Sequence, residues 1–245
     1  MRSLRLGSMG DDVSAWQASL RALGHAVVPD GIFGPITLGA TKLFQRAQDL
    51  DQDGIVGPKT RAAMKALQTT WPAAPAYGPL TDEERRRIYG TFAYVPSPTA
   101  SNPEAIRITD SWPAHNIVVV SVPQLVDVEG AAAQGRVMCH KLVAEKLREL
   151  FRRWEQAGLR DRVLNWAGMW APRFVRGSRT TLSNHAWGTA FDINAAWNPL
   201  GRKGLPAGIR GSVAELVPIA NELGWFSGSH FTSRPDPMHF ELTVP

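Results

Sequence analysis

The sequence has 245 residues, 44% hydrophobic and 20% charged, a composition expected of a globular chain that holds one large domain or a small and a medium one. Its net charge of +5 would suit a polyanion, but basic residues are mixed with acids, 8 against 6 over residues 1–70, and only Arg85-Arg86-Arg87 forms a run, so no nucleic-acid partner is expected. No apolar window is long enough for a membrane span, the start Met1-Arg-Ser-Leu-Arg5 lacks the apolar segment of a secretory signal, and the single Cys139 has no intramolecular disulfide partner.

From Asp11 the pattern is helical. Val13, Trp16, Leu20 and Leu23 recur on one face behind the capping candidates Asp11 and Asp12, and Gly24 is expected to end the helix. An internal repeat follows: Asp30-Gly-Ile-Phe-Gly-Pro-Ile-Thr37 is matched by Asp53-Gly-Ile-Val-Gly-Pro-Lys-Thr60, 23 residues later. Each copy gives a turn at Asp-Gly and opens a helix at Gly-Pro. These helices are expected to bury Leu38, Leu43 and Phe44, then Ala62, Met64 and Leu67. A three-helix bundle over residues 1–68 results. The Pro/Ala run of residues 69–80 reads as a semi-rigid linker, and a second domain spans residues 81–245.

Thr81-Asp-Glu-Glu-Arg85 marks a capped helix start, and Val95 to Asn102 is irregular and Pro-rich. Strands are expected at Ile106–Asp110, Asn116–Val122 and Arg162–Trp166. Long helices are expected at Arg136–Gly158 and Val213–Leu223. Cys139 and His140 fall on the first of these helices as structural residues. The second domain is then α+β, with helices packed on a small, mainly antiparallel sheet.

Two stretches carry chemistry. Thr189–Asn194 alternates so that Asp192 lies opposite Phe191 and Ile193, and Met238–Leu242 alternates so that His239 and Glu241 share the polar face. Side by side, the two strands bring His239 near Asp192. His185 lies seven residues before Asp192, and Gly188 lets the chain bend closely between them. Two His and one Asp are the ligand set of a catalytic zinc that keeps one position open. Asp236, restricted by Pro235 and Pro237, is placed to serve as a base at the mouth of the site, and Glu241 is the competing candidate. His25, His115 and His140 are expected to be dispensable for metal.

Ser183-x-His185-x-x-Gly188-x-Ala190-x-Asp192, followed by Asp236-x-x-His239, resembles the zinc peptidases of peptidoglycan that include D-alanyl-D-alanine carboxypeptidases and L-alanyl-D-glutamate endopeptidases. The resemblance spans roughly residues 160–245. It implies one zinc ion on His185, Asp192 and His239, with Asp236 as base and Arg173 holding the substrate or the developing oxyanion. Ser183, Arg176 and Glu241 are implied around them. Ser227 and Ser229 stand where related phage-type enzymes carry Trp and Gly. Leu6 to about Gln68 resembles the three-helix peptidoglycan-binding module of wall hydrolases, for which Asp30, Phe33 and Gln45 are the candidate contacts.

The combination resembles a phage endolysin. The implied protein is a monomer that waits in the host cytoplasm until lysis and then cuts stem peptides of bacterial peptidoglycan, foremost the L-Ala-D-Glu bond, without inserting in the membrane. The alternatives are a D-alanyl-D-alanine carboxypeptidase and a catalytically silent wall-binding protein.

Overall fold

The computed structural model describes residues 2–23, 25–69 and 71–244. Gly24, expected to end the first helix, lies outside the described residues, as do Thr70 of the expected linker and the side chain of Leu67. The chain divides into two compact units, Met1–Trp71 with Pro206–Ser212, and Pro72–Leu205 with Val213–Pro245. Among the described residues no helix is long and apolar enough to cross a membrane.

The first unit holds α1 (Asp11–Ala22), α2 (Pro35–Ala47) and α3 (Pro58–Thr69). Its core gathers Leu4, Val13, Trp16, Leu20, Phe33, Phe44, Val56 and Met64, with Trp16 edge-on to Phe44 at 5.4 Å. Leu43 and Ala62, expected inside, face solvent instead. The buried stripe of α2 runs through Thr37, Ala40, Thr41, Phe44 and Gln45. Threonine is accepted there because Thr41 Oγ1 donates to the Thr37 carbonyl and receives the Trp16 indole N–H.

The repeat is explained by two copies of one hydrogen-bond network. In the first, Gln17 Nε2 donates to Asp30 Oδ1, the Ile32 carbonyl and Thr37 Oγ1, while its Oε1 receives Gly31 N–H. In the second, Gln45 does the same to Asp53, Ile55, Thr60 and Gly54. Each Asp carboxylate also accepts from the amide two residues on, which closes the turn. These bonds correct two expected wall contacts. Phe33 is wholly buried in the core, and the Gln45 amide is sealed inside and fully engaged. Asp30 is exposed, but its Oδ1 is held by Gln17 and Ile32.

In the second unit the stretch expected to be a linker is bound to the domain that follows. Tyr77 donates to the Asn221 carbonyl and Asn221 donates to the Ala73 carbonyl. The unit then runs α4 (Asp82–Tyr89), β1 (Tyr94–Pro96), β2 (Ile106–Ile108), α5 (Trp112–Asn116), β3 (Ile117–Ser121), β4 (Arg136–His140), α6 (Ala144–Gln156), β5 (Trp166–Gly168), β6 (Ala190–Ile193), α7 (Val217–Glu222), β7 (Trp225–Ser227) and β8 (His239–Leu242). Strands β1 and β2 pair, β3 and β4 pair, and a four-stranded antiparallel sheet has the order β5-β6-β8-β7. The architecture is α+β, as the element pattern implied.

The expected helix from Arg136 is a strand followed by a shorter helix. Val137 and Cys139 alternate inward and pair with Val120 and Val118, whereas the helical periodicity begins only at Ala144. Strands β1 and β7 and helix α5 were not read from the sequence, and the strand expected at Arg162–Trp166 begins instead at Trp166. Helix α6 buries Leu147, Leu150, Phe151 and Trp154, and the last two meet the aromatic side chains of the four-stranded sheet. There Phe191 stacks on Phe240 at 5.4 Å and on Trp166 at 5.5 Å, and Trp154 meets both phenyl rings edge-on. With Phe191 and Phe240 committed to this aromatic layer, strand alternation turns Asp192, His239 and Glu241 to the opposite face.

Candidate metal centre

Strands β6 and β8 pair with Asp192 directly opposite His239 and Phe191 opposite Phe240. His185 arrives on the short 3₁₀ turn Asn184–Trp187, which ends at Gly188 with φ +68°. A Cβ at Gly188 would stand 2.9 Å from the backbone nitrogen of His140, whose N–H donates to the Gly188 carbonyl. Only glycine permits both the left-handed turn and this approach, and the turn carries His185 back toward β6.

His185 Nε2 lies 3.3 Å from Asp192 Oδ1 and 3.2 Å from His239 Nδ1, and His239 Nδ1 lies 3.0 Å from the same carboxylate oxygen. The three atoms form a nearly equilateral, largely buried triangle. A tetrahedral ion with bonds of about 2.0–2.1 Å separates its ligands by about 3.3 Å, so the donors fit a single zinc-sized cation.

The outer nitrogens are both engaged. His185 Nδ1 donates to the Met169 carbonyl at 2.8 Å, and His239 Nε2 donates to Glu241 Oε2 at 3.1 Å. Asn184 donates to that same Glu241 oxygen. With the outer nitrogens so engaged, each ring would offer its inner nitrogen to a bound cation. Burial opposes charge on His239, yet its hydrogen bonds to the Asp192 and Glu241 carboxylates outweigh it and push its pKa up to about 10. Burial likewise disfavours the Asp192 carboxylate, but His185 and His239 hold its pKa well below the usual range. The pocket is built to favour positive charge.

The two carboxylates that competed as base both line the cleft and each keeps one buried oxygen without a hydrogen-bond partner; they differ in that Glu241 spends its other oxygen on His239 and Asn184. Glu241 is 2% exposed and sits behind His239. Asp236 lines the same cleft of about 400 Å³ as His239, and its buried Oδ1 has no hydrogen-bond partner. Burial raises its pKa, with the Asp192 charge adding to the effect. Its position is fixed through the main chain: Asp236 N–H donates to the Gly228 carbonyl and its own carbonyl receives His239 N–H. Gly228 is required, because a Cβ there would meet the Asp236 carbonyl at 2.5 Å.

Arg173 is half-buried, its backbone carbonyl receiving Ser183 N–H, and burial lowers its pKa while Asp192 and Asp236 counteract. Ser183 is buried at the cleft wall. Arg176 departs from its expected place. It is exposed and spent on Glu104 at 2.8 Å and Asn102 at 3.0 Å, outside the cleft lining. His140 packs under Tyr89 and Trp112, away from the metal cluster, as a structural residue. Sequence reasoning missed Asn184, Arg85, Phe231 and Arg234, all of which line the cleft. Asn184 was visible inside the Ser183–Asp192 motif; Arg85 gave no local signal, being one member of a charged run.

Known proteins match at the two ends of the chain. Residues 176–242 match the family described as D-alanyl-D-alanine carboxypeptidase, and residues 9–64 match the family described as putative peptidoglycan binding domain. A peptidoglycan-binding domain family at the N-terminus is thus joined to a peptidase family at the C-terminus. Among solved structures, a peptidoglycan-binding protein from Clostridioides difficile in complex with glutamine hydroxamate is 38% identical over 26% of this chain and 40% of its own, with a TM-score of 0.25. The Burkholderia AP3 phage endolysin is 42% identical over 27% of this chain and 25% of its own, at 0.26. A fused Zn-dependent amidase/peptidase/peptidoglycan-binding domain-containing protein from Clostridium acetobutylicum is 27% identical over 36% and 40%, also at 0.26. The chain spans 40% or less of the length of each of these proteins.

Proposed function

We propose that the chain is a zinc-dependent peptidoglycan peptidase of the endolysin type, with residues 1–68 holding it on the wall and residues 81–245 cutting stem peptides. The observation that carries this reading is the triangle of His185 Nε2, Asp192 Oδ1 and His239 Nδ1 beside the unpartnered Oδ1 of Asp236. His185, Asp192 and His239 would hold the ion. Zinc in such a site supplies Lewis acidity to a carbonyl and brings the pKa of a water to about 7.

The chain's own groups do the rest. Asp236 Oδ1 accepts the proton released when water attacks the scissile carbonyl and returns it to the departing amine nitrogen. Arg173 supplies a fixed positive charge within the field of Asp192 and Asp236, where negative charge develops on the carbonyl oxygen. Ser183 lines the cleft that receives the peptide, and Glu241 with Asn184 keeps His239 aligned. Retention on an insoluble polymer raises the local concentration of stem peptides without altering this chemistry.

Our reading takes the L-Ala-D-Glu bond as substrate and lysis from the host cytoplasm as setting. The family description favours a second reading, a carboxypeptidase that trims terminal D-alanine. Zinc analysis of the purified protein, turbidity loss of sacculi and mass spectrometry of released muropeptides separate the cases. A new N-terminal D-glutamate identifies the endopeptidase, free D-alanine identifies the carboxypeptidase, and zinc-loaded protein that releases neither is a silent wall binder.

A further inference from the structure

We infer that Arg85, together with Arg234, forms a carboxylate-recognising subsite in the cleft beside the metal centre; the inference rests on the peptidase reading and names what that peptidase selects. The ligand class is a peptide that carries a free carboxylate near its scissile bond.

Arg85 comes from α4, about a hundred residues before the metal motif in the chain. The helix is fixed by a capping box in which Thr81 Oγ1 receives Glu84 N–H and the Glu84 carboxylate receives Thr81 N–H. Its neighbours Arg86 and Arg87 are exposed, whereas the Arg85 side chain is 7% exposed and borders the cleft with Asp236, His239 and Glu241. The guanidinium is held from two sides. Nη1 donates to Asp82 at 2.6 Å, Nη2 donates to the Leu80 carbonyl at 2.8 Å, and Cζ sits 5.4 Å from the Trp187 ring centroid. Trp187 is itself anchored by its indole N–H on the Gly90 carbonyl.

A guanidinium has five N–H donors. Those two bonds leave three without a partner among the described residues, and a guanidinium's planar fork suits a carboxylate. The Asp82 partner is 46% exposed, where solvent screens its charge. Glu241 and Asp236 share the cleft; Glu241 Oε2 is committed to His239 and Asn184, while Glu241 Oε1 and Asp236 Oδ1 have no partner, so the two arginines also offset the cleft's own acids. Arg234 supplies a second cation at the same cleft. It is exposed, donates through Nη1 to the Arg176 backbone carbonyl, and among the described residues forms no ion pair with a carboxylate. One buried arginine held by two hydrogen bonds and one exposed arginine at the rim are the elements that bind an anion tightly and collect it quickly.

Two sources could present the carboxylate, the α-carboxyl of the D-glutamyl residue or the C-terminus of the peptide. The probes are three forms of N-acetyl-L-Ala-γ-D-Glu-L-Lys: both carboxyls free, a carboxamide on the glutamyl α-carboxyl, or a carboxamide on the C-terminus. Cleavage by the zinc-loaded full chain is followed by kcat/KM, and binding is followed by calorimetry with zinc-loaded Asp236→Asn protein, in which turnover is suppressed. One of the two amides should lose about tenfold or more in both readouts, which identifies the carboxylate recognised. Arg85→Lys and Arg234→Gln should each bring the acid-to-amide ratio toward one, and the surface position of Arg234 guards against a misfolded variant. Equal binding of all three peptides by unsubstituted cleft arginines, or an acid-to-amide ratio unchanged in both variants, overturns the subsite. If no peptide is cut but the calorimetric preference persists, the peptidase reading fails and the subsite stands.

Discussion

Replacing Asp236 by Asn separates the chemistry from the metal more cleanly than any other change. The side chain keeps its shape but loses the ability to accept a proton at Oδ1. No hydrogen bond is sacrificed, because that oxygen has no partner, and the bonds that place the residue run through its backbone N–H and carbonyl. The ligand triangle is untouched, so zinc content should remain at one ion per chain. General-base assistance is typically worth 10²- to 10⁴-fold, or about 3–5 kcal/mol of barrier, and kcat should fall by that factor. The pH profile gives an independent readout. Burial raises the Asp236 pKa, so the carboxylate is lost on acidification at a higher pH than for an ordinary aspartate. Activity of the parent protein should therefore decline as pH falls through that raised value, and this acid limb should vanish in the variant's residual activity. Steady-state kinetics on a defined muropeptide, with metal content measured on the same samples, decides the matter. Zinc-loaded Asp236→Asn protein within tenfold of the parent rate would refute the assignment and return Glu241 to candidacy.

Glu241→Gln should leave the fold intact but weaken zinc about 10- to 100-fold, with activity partly restored by added zinc, because Glu241 Oε2 holds His239 by its outer nitrogen. His239→Ala should purify without stoichiometric metal and without lytic activity, whereas His115→Ala should retain both. His140 is buried and its pKa is lowered to about 4 by desolvation, so the unfolded state takes up a proton near pH 6.5 before the folded state does. Its contribution to stability is present above that pH and is lost as pH falls toward 4, by up to about 3 kcal/mol. Urea midpoints at pH 7 and 4.5 should converge less in the parent than in His140→Gln. Gln45→Leu removes the amide that satisfies Asp53, Gly54, Ile55 and Thr60, and should cost the N-terminal unit about 2–4 kcal/mol, seen as a lowered melting transition and loss of co-sedimentation with sacculi.

The metal triangle was legible because strand alternation is a strict rule. Once Phe191, Ile193, Phe240 and Leu242 are assigned inward, Asp192 and His239 have only one face left, and the observed register sets them opposite each other. The region from Arg136 differs from expectation because its apolar residues satisfy a helical period for about two turns ahead of the true start at Ala144; what decides it is pairing with β3, a partner no local window contains. The repeat was visible, but its purpose was not. Asp30 and Gln45 look like polar groups offered to a sugar until the glutamine amides are seen closing on the Asp-Gly turns. Arg85 was hidden for a related reason: which member of a charged run points inward depends on what the helix packs against.

Those glutamine-to-turn contacts also bear on how such a unit can change. The Asp-Gly-Ile-x-Gly-Pro-x-Thr stretch is constant between copies, yet the glutamine that reads it lies thirteen residues before the aspartate in one copy and eight in the other. The lock is therefore indifferent to the length of chain between donor helix and turn. In each case a helix grips the starting point of its successor, α1 that of α2 and α2 that of α3. Insertions between helix and turn leave the lock intact, whereas a change of a single atom at the glutamine amide breaks it, so length variation is free where chemical variation is not.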